Sequence, residues 1–231
     1  MMGAAVFCGL AFLCFVLGPL LARVEAIPPM AALAILALGA GLGLVSAELA
    51  LVAVIQRRAT WLHYIGFLGM LPLAFVVAVM IVGLVKYPAI NDISTDVEEP
   101  PSFMHAPSLA GNEGRDMAFP RTFKTLIREA YPELRPLIVE AEPVAAYAKA
   151  LELAKQRNGW TITHESPEEM TFEGIAVTPM LRFQDDFVVR VRKHENGAVI
   201  DMRSKSRKGK GDLGANAKRI RAFFEELKRL L

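Results

Sequence analysis

Three apolar stretches, at about residues 3–21, 30–55 and 61–85, dominate the first third of the chain. The third stretch contains 25 residues and no Asp, Glu, Lys or Arg. A helix rises about 1.5 Å per residue, so this stretch is long enough to cross a hydrocarbon core of about 30 Å. We therefore expect residues 1–86 to form an anchor of three transmembrane helices.

The first stretch has a competing interpretation as a signal peptide, since Val24-Glu25-Ala26 resembles a weak cleavage site. It lacks a positively charged lead-in and is long for a signal core, which favours a retained helix. The second stretch contains Gly39 and Gly43 at the spacing that lets helix backbones approach, and we expect packing within the anchor, with dimerisation as the alternative. Glu48 is expected to face a neighbouring helix, bond to Ser46 or a partner, or stay protonated, with a functional role as the alternative.

The short connection between the second and third stretches contains Arg57 and Arg58. Positively charged loops are retained in the cytoplasm, so this pair predicts a cytoplasmic N-terminus and an outward exit at Lys86. The expected location is the inner membrane, as a multi-pass protein with an extracytoplasmic C-terminal domain.

After the anchor, the pattern changes to that of a water-soluble protein. Residues 87–120 are rich in Pro, Gly and acidic side chains, which predicts an extended linker or arm. Residues 121–231 predict an α+β domain, in which an antiparallel four-stranded sheet has helices packed on one face. Helices are expected near 122–131, after Pro143 and after Asp212, and the strands near 160–164, 170–176, 181–193 and 198–206, with a hairpin turn at Asn196-Gly197.

Composition excludes several kinds of site. Both cysteines, Cys8 and Cys14, lie in the first apolar stretch, so the domain has neither a disulfide framework nor a cysteine nucleophile. His105, His164 and His194 lack metal-ligand spacing. The charges after the anchor nearly balance, which argues against nucleic acid as a partner. We expect no metal, no cofactor and no catalytic residue identifiable from a motif.

The most distinctive segment is the basic run 203–221, RSKSRKGKGDLGANAKRIR. It has eight basic residues and one acidic residue, and it joins a strand end, a glycine loop and a helix start. Such a segment is suited to a phosphate, a lipid headgroup or a carboxylate polymer. The alternative is that the basic side chains pair with carboxylates of the domain itself. The candidate anion- or partner-binding residues are Arg203, Lys205, Arg207, Lys208, Lys210, Gly211 and Arg219.

The glycines of this run also match a dinucleotide-binding fingerprint, because Gly209, Gly211 and Gly214 have GxGxxG spacing. Only 17 residues follow Gly214, too few for the second strand and the ribose-binding acid that this fold requires. The match is therefore not taken as a nucleotide site.

The basic run also resembles the closing signature of the bacterial domain-of-unknown-function family numbered 1499. NDISTDVEEPP at 91–101, YPELRPL at 131–137 and FQDDFVVRVR at 183–192 fit the same resemblance, in the expected order over about residues 88–231. The resemblance implies a shared fold and an envelope location, and it implies no activity. Its signature positions would be Asp186, Arg190, Arg203, Ser204, Ser206, Arg207, Gly209, Asp212, Gly214, Asn216 and Arg219.

Two functional hypotheses follow. The first is a membrane-anchored binding or scaffolding module whose basic loop meets membrane lipid, another anionic envelope component or a partner protein. The alternative is an envelope hydrolase that uses Asp185, Asp186 and His164. Neighbouring residues of a strand point to opposite faces, so Asp185 and Asp186 are not expected to converge, and an ion pair of Asp186 with a signature arginine is favoured.

Overall fold

The structure is a computed structural model that describes residues 3–231, and its chain divides into two compact units. One unit contains the segment up to Val85 together with Pro179–Arg182. The other contains Lys86–Thr178 and Phe183–Leu231.

The first unit contains three helices that are long and apolar enough to cross a membrane, as predicted. These candidate spans are Gly3–Arg23 (α1), Pro29–Ile55 (α2) and Trp61–Lys86, with mean hydropathies of 2.4, 2.1 and 2.7. The third span is interrupted at Gly69 into α3 (Trp61–Leu68) and α4 (Met70–Lys86). Pro72 lies just after the interruption, and its ring nitrogen has no hydrogen to donate to the Leu68 carbonyl, so a regular helix cannot continue through this turn.

Glycines allow the helices of this unit to pack closely. A Cβ atom added at Gly39 would lie 2.9 Å from the Cβ of Cys14, and one added at Gly43 would lie 2.1 Å from the carbonyl oxygen of Gly69. The predicted use of this glycine pair in packing within the anchor is therefore confirmed. The buried Ser46 hydroxyl lies 2.6 Å from the Ala4 carbonyl oxygen and 2.9 Å from that of Gly66.

Glu48 lies on the outer surface of this unit. Within residues 3–231, its carboxyl makes no hydrogen bond, and Ser46 is bonded to backbone instead. Of the arrangements expected for Glu48, bonding to Ser46 is wrong, because the Ser46 hydroxyl is buried between α1 and α3.

The second unit is an α+β domain with an antiparallel sheet, as predicted, but the sheet has six strands rather than four. Strand order is β1-β6-β5-β4-β3, and β2 also pairs with β6. The strands are β1 (Asp92–Ser94), β2 (Leu137–Val139), β3 (Trp160–Ser166), β4 (Thr171–Val177), β5 (Gln184–His194) and β6 (Gly197–Ser206). The helices are α5 (Phe123–Ala130), α6 (Pro143–Gln156) and α7 (Ala215–Leu230), with a single 3-10 turn at Ala106–Ser108.

The two strands that sequence analysis missed are each three residues long. In β1, Ile93 pairs with Ser204, and in β2, Ile138 pairs with Val199, so both strands use the same edge of β6. Three residues are too few to show an alternating pattern, and β1 lies inside the stretch rich in Pro and Gly. The long hairpin was predictable, and His194 pairs with Gly197 at its turn.

One side of the sheet contributes to the main core. Phe187, Val189 and Val191 are alternate residues of β5, and they share one buried cluster with Ile220 and Phe223 of α7. The same cluster includes Ala150, Leu153 and Ala154 of α6 and Ile200 and Met202 of β6. We call this the core side of the sheet. Packing of the helices on a single face stays a prediction.

The other side of the sheet contacts a segment that was expected to be a linker. Residues 95–120, here called the arm, lie in the second unit, where Phe103 and Ala106 cluster with Val188 of β5. The segment therefore continues from strand β1 across the sheet. We call this the arm side, and its strand positions are mostly charged.

Candidate functional site

The basic run divides between the two sides of the sheet and the loop beyond it. Arg203 and Lys205 are alternate residues near the end of β6, and Arg207 follows the strand. All three side chains turn toward the arm side, where their partners lie. Ser204 and Ser206 turn to the core side, toward α7. The run thus supplies two separate polar networks and one exposed loop, rather than a single basic patch.

Arg203 is buried and fully engaged within the domain. Its Nε and Nη2 donate to the two carboxylate oxygens of Asp92 at 2.9 and 2.7 Å, and other guanidinium N–H groups donate to the Pro101 and Met117 carbonyls. The guanidinium carbon also lies 4.7 Å from the ring centroid of Phe103 and 5.4 Å from that of Phe119. This cation–π arrangement joins the strand to both ends of the arm.

Two further basic residues of the run are also paired. Lys205 is buried and donates to the same Asp92 carboxylate at 2.9 Å. Arg207 donates through Nη2 to Asp186 at 2.7 Å, and that fully buried carboxylate also accepts from Asn112 of the arm at 3.0 Å. The expected ion pair of Asp186 with a signature arginine is therefore confirmed.

Arg219 belongs to the core-side network. It donates to Asp185 at 2.5 Å and to the Ser204 hydroxyl at 2.9 Å. Asn216, which is also buried, accepts from Ser204 and donates to Ser206 at 2.9 Å. The network fastens the start of α7 to the end of β6, so these signature positions have a structural role.

Lys208 and Lys210 differ from the rest of the run. Both side chains are exposed, and neither makes an ion pair or hydrogen bond within residues 3–231. Gly211, the third candidate in this loop, is also exposed. Of the seven candidate residues, the structure therefore places four in internal ion pairs and leaves three at the surface of one loop.

The loop is anchored to the stretch that follows the last span. Asn91 donates from its side chain to the Gly209 carbonyl at 2.6 Å, and the Asp212 amide donates to the Ile90 carbonyl at 3.2 Å. A Cβ atom at Gly214 would lie 2.5 Å from the ring of Tyr87, so only glycine permits this approach. Gly214 also has a φ of +78°, a conformation that favours glycine.

Asp212 closes the loop onto α7. Its carboxylate accepts from the amides of Gly214 and Asn216, each at 2.8 Å. Burial raises the pKa of this carboxyl, and the two backbone hydrogen bonds act in the opposite direction. The prediction that Asp212 is the N-cap residue of the last helix is wrong: α7 begins at Ala215 and Gly214 is its N-cap. The Asp212 carboxylate instead reaches the first turn of the helix from two residues before the N-cap.

The residues of the hydrolase hypothesis do not assemble. Asp185 pairs with Arg219 and Asp186 with Arg207, so the two carboxylates serve different networks. His164 lies on β3 and stacks on the His105 ring at a centroid distance of 5.3 Å. In the described part of the chain, no three His, Cys, Asp or Glu residues form a potential metal site.

Two further buried carboxylates lie on the arm side, and neither was predicted from the sequence. Asp201 of β6 accepts from Arg190 and Arg192 of β5, and burial raises its pKa while the arginines oppose that shift. Glu173 of β4 accepts three backbone amides of the arm, from Met104, His105 and Ala106, at 2.5–3.0 Å. The one sequence signal for Asp201 and Glu173 was an acidic residue next to apolar residues of a predicted strand.

These features define a class of protein: an α+β domain with internal ion-pair networks, joined to three candidate membrane-spanning helices. Residues 92–227 match the family model described as "Protein of unknown function (DUF1499)". The match covers more than half of the chain, so the protein belongs to this family. Neither a curated protein nor a solved structure matches the chain.

Proposed function

We propose that this protein is a membrane-anchored binding module of the cell envelope, and that its exposed basic loop contacts an anionic group. The supporting observation is the contrast within one run. Arg203, Lys205, Arg207 and Arg219 form ion pairs with Asp92, Asp186 or Asp185, whereas Lys208 and Lys210 form none within residues 3–231. Two unpaired ammonium groups beside exposed glycine backbone are suited to phosphate or carboxylate oxygens.

The internal pairs have a supporting role in this proposal. They fasten β6, the arm and α7 around the loop, so that Lys208 and Lys210 project from a rigid support. Substituting a paired arginine would disturb the fold together with any binding. A binding test therefore belongs at the two lysines.

The proposed location is the inner membrane, with the domain on the extracytoplasmic side. Its support is the Arg57-Arg58 pair between the second and third spans, since short basic loops are retained in the cytoplasm. This orientation would bring the loop to anionic components of the envelope rather than to nucleic acid.

The binding test uses the full chain in neutral detergent and short-chain inorganic polyphosphate as the soluble probe. We expect the double variant Lys208→Glu/Lys210→Glu to bind about tenfold more weakly or worse, because each lost contact between exposed charges contributes about 0.5–1 kcal/mol. The matched control is Lys193→Glu/Lys228→Glu, which changes the charge equally at two exposed lysines elsewhere in the domain.

Binding measured by calorimetry should also weaken as salt is raised, because exposed charges are screened. The proposal is wrong if the loop variant and the control variant bind polyphosphate with the same affinity and also interact with anionic lipid to the same extent.

A further inference from the structure

The loop that carries the exposed lysines is held close to the end of the last candidate span. Helix α4 ends at Lys86, and the next residue, Tyr87, packs against Gly214. Ala89, Ile90 and Asn91 contact Gly211, Asp212 and Gly209 in turn. The five residues 87–91 connect Lys86 to these contacts and span at most about 17 Å when fully extended. The covalent connection alone therefore keeps the loop near the membrane surface at which the last candidate span ends.

The same loop exposes an apolar side chain in a strained conformation. Leu213 has a φ of +52°, which is uncommon for residues other than glycine, and its side chain is 44% exposed. Such strain is retained at positions with a function more often than elsewhere. A soluble anion would interact with the lysines but would gain nothing from an exposed leucine. A lipid surface offers both a phosphate layer and an apolar layer beneath it.

The carboxylate within the loop does not oppose an anionic surface. Asp212 is turned inward to the amides of Gly214 and Asn216, and burial raises its pKa. The exposed part of the loop therefore carries positive charge and one apolar side chain. Residues 87–91, here called the clamped stretch, begin next to the candidate span. At that end the Lys86 ammonium lies 5.3 Å from the ring centroid of Tyr87, an arrangement suited to a membrane interface.

We propose that the loop 208–214 docks on the membrane surface from which Lys86 emerges. Lys208 and Lys210 contact anionic phosphate headgroups, and Leu213 enters the boundary between headgroups and acyl chains. This inference rests on the proposed function, because it identifies the anion of the same loop as a lipid headgroup. Docking at both ends of the clamped stretch would hold the domain against its own membrane rather than leave it on a free tether.

The test compares the full chain in nanodiscs of phosphatidylcholine alone and in nanodiscs containing one quarter phosphatidylglycerol. Hydrogen exchange of the amides at 207–214 reports the docked state. Each lysine near an anionic surface contributes about fivefold to association, so we expect exchange to slow by about fivefold to 25-fold in the anionic discs. The Lys208→Glu/Lys210→Glu variant should lose this difference, and the Lys193→Glu/Lys228→Glu control should keep it.

A second variant isolates the apolar contact. Leu213→Asn removes the hydrocarbon side chain and retains a residue that tolerates positive φ. We expect it to reduce the protection in anionic discs at least about threefold and to leave polyphosphate binding unchanged.

The outcomes separate this inference from the proposed function. Polyphosphate binding that depends on Lys208 and Lys210, with equal exchange in both kinds of nanodisc, would overturn the lipid assignment and keep the anion-binding loop. If the wild type shows neither lysine-dependent polyphosphate binding nor slower exchange in the anionic nanodiscs, both proposals are wrong. Protection that depends on the lysines but survives Leu213→Asn unchanged would overturn the insertion of Leu213.

Discussion

At the residue scale, Arg203 shows why a basic run is a poor guide to a binding surface. The side chain is 2% exposed, and all its contacts are with the domain itself. Asp92 lies opposite Lys205 on the neighbouring strand, so one carboxylate serves two cations. Removing one member of such a buried group leaves the other charge without compensation.

We predict that Arg203→Lys destabilises the domain by about 3 kcal/mol. A lysine keeps the charge but cannot donate to both Asp92 oxygens and to the Pro101 and Met117 carbonyls at once. Denaturant unfolding of the full chain in detergent measures the loss, and exchange in the arm should rise with it. Arg121→Lys is the control, because Arg121 is exposed. Wild-type stability of the Arg203 variant would refute the structural role.

Tyr131 provides a second test at this scale. Its hydroxyl is buried without a hydrogen-bond partner in residues 3–231, and burial raises its pKa to about 12. A tyrosine in the unfolded chain has a pKa of about 10, so it loses its proton first, and the folded state is destabilised as pH rises from about 10 to 12.

We predict that Tyr131→Phe leaves stability at neutral pH unchanged or raises it by up to about 1 kcal/mol, because an unsatisfied buried hydroxyl is removed. Its thermal midpoint should also fall less steeply than that of the wild type between pH 9.5 and 11. Tyr147→Phe serves as the comparison for stability at neutral pH, because the Tyr147 hydroxyl has a hydrogen-bond partner to lose, the Thr171 carbonyl oxygen at 3.5 Å. An identical alkaline slope in the Tyr131 variant would contradict the assignment.

At the element scale, the arm is held by side chains of the sheet rather than by regular backbone pairing. Glu173 accepts the amides at the start of the 3-10 turn, and Asn112 donates to Asp186. Arg203 holds the arm near Pro101 and Met117. The sequence of the arm suggested a linker because its own residues contain little periodic signal, and the groups that order it belong to distant strands.

We predict that Glu173→Gln loosens the arm selectively. An amide has one carbonyl oxygen and no charge, so it cannot replace a carboxylate that accepts three amides, and we expect a cost of about 1–3 kcal/mol. Hydrogen exchange at 103–109 should accelerate, while exchange in β5 and β6 changes little. Glu165→Gln, at an exposed position of β3, is the matched control. Equal exchange at 103–109 in wild type and variant would argue against this role of Glu173.

At the scale of the whole molecule, the central question is the side of the membrane on which the domain lies. Three crossings would place the two ends of the anchor on opposite sides of a membrane, and the Arg57-Arg58 pair is the main charge asymmetry of the three candidate spans. Arg23 and Lys86 fall on the other side, so the predicted orientation depends on the strength of this pair.

We predict that alkaline phosphatase, which is active only outside the cytoplasm, is active when it is fused after Leu231. Green fluorescent protein at the same position should not fluoresce. Paired fusions to alkaline phosphatase and to green fluorescent protein measure this directly in cells. Replacing Arg57 and Arg58 with glutamate should raise the fraction with the reversed orientation, because the retained positive charge is lost. Fluorescence without phosphatase activity in the wild-type fusion would reverse the assigned location.

Features that depend on local composition and on the period of apolar residues could be predicted from the amino-acid sequence. These are the three apolar spans, the long β5–β6 hairpin with its Asn-Gly turn, the terminal amphipathic helix and membership of the family. Which charges of the basic run remain available to a ligand depends on the folded domain. Whether a lysine is neutralised depends on carboxylates far away in the chain, such as Asp92 for Lys205, and residue spacing carries no information about that distance.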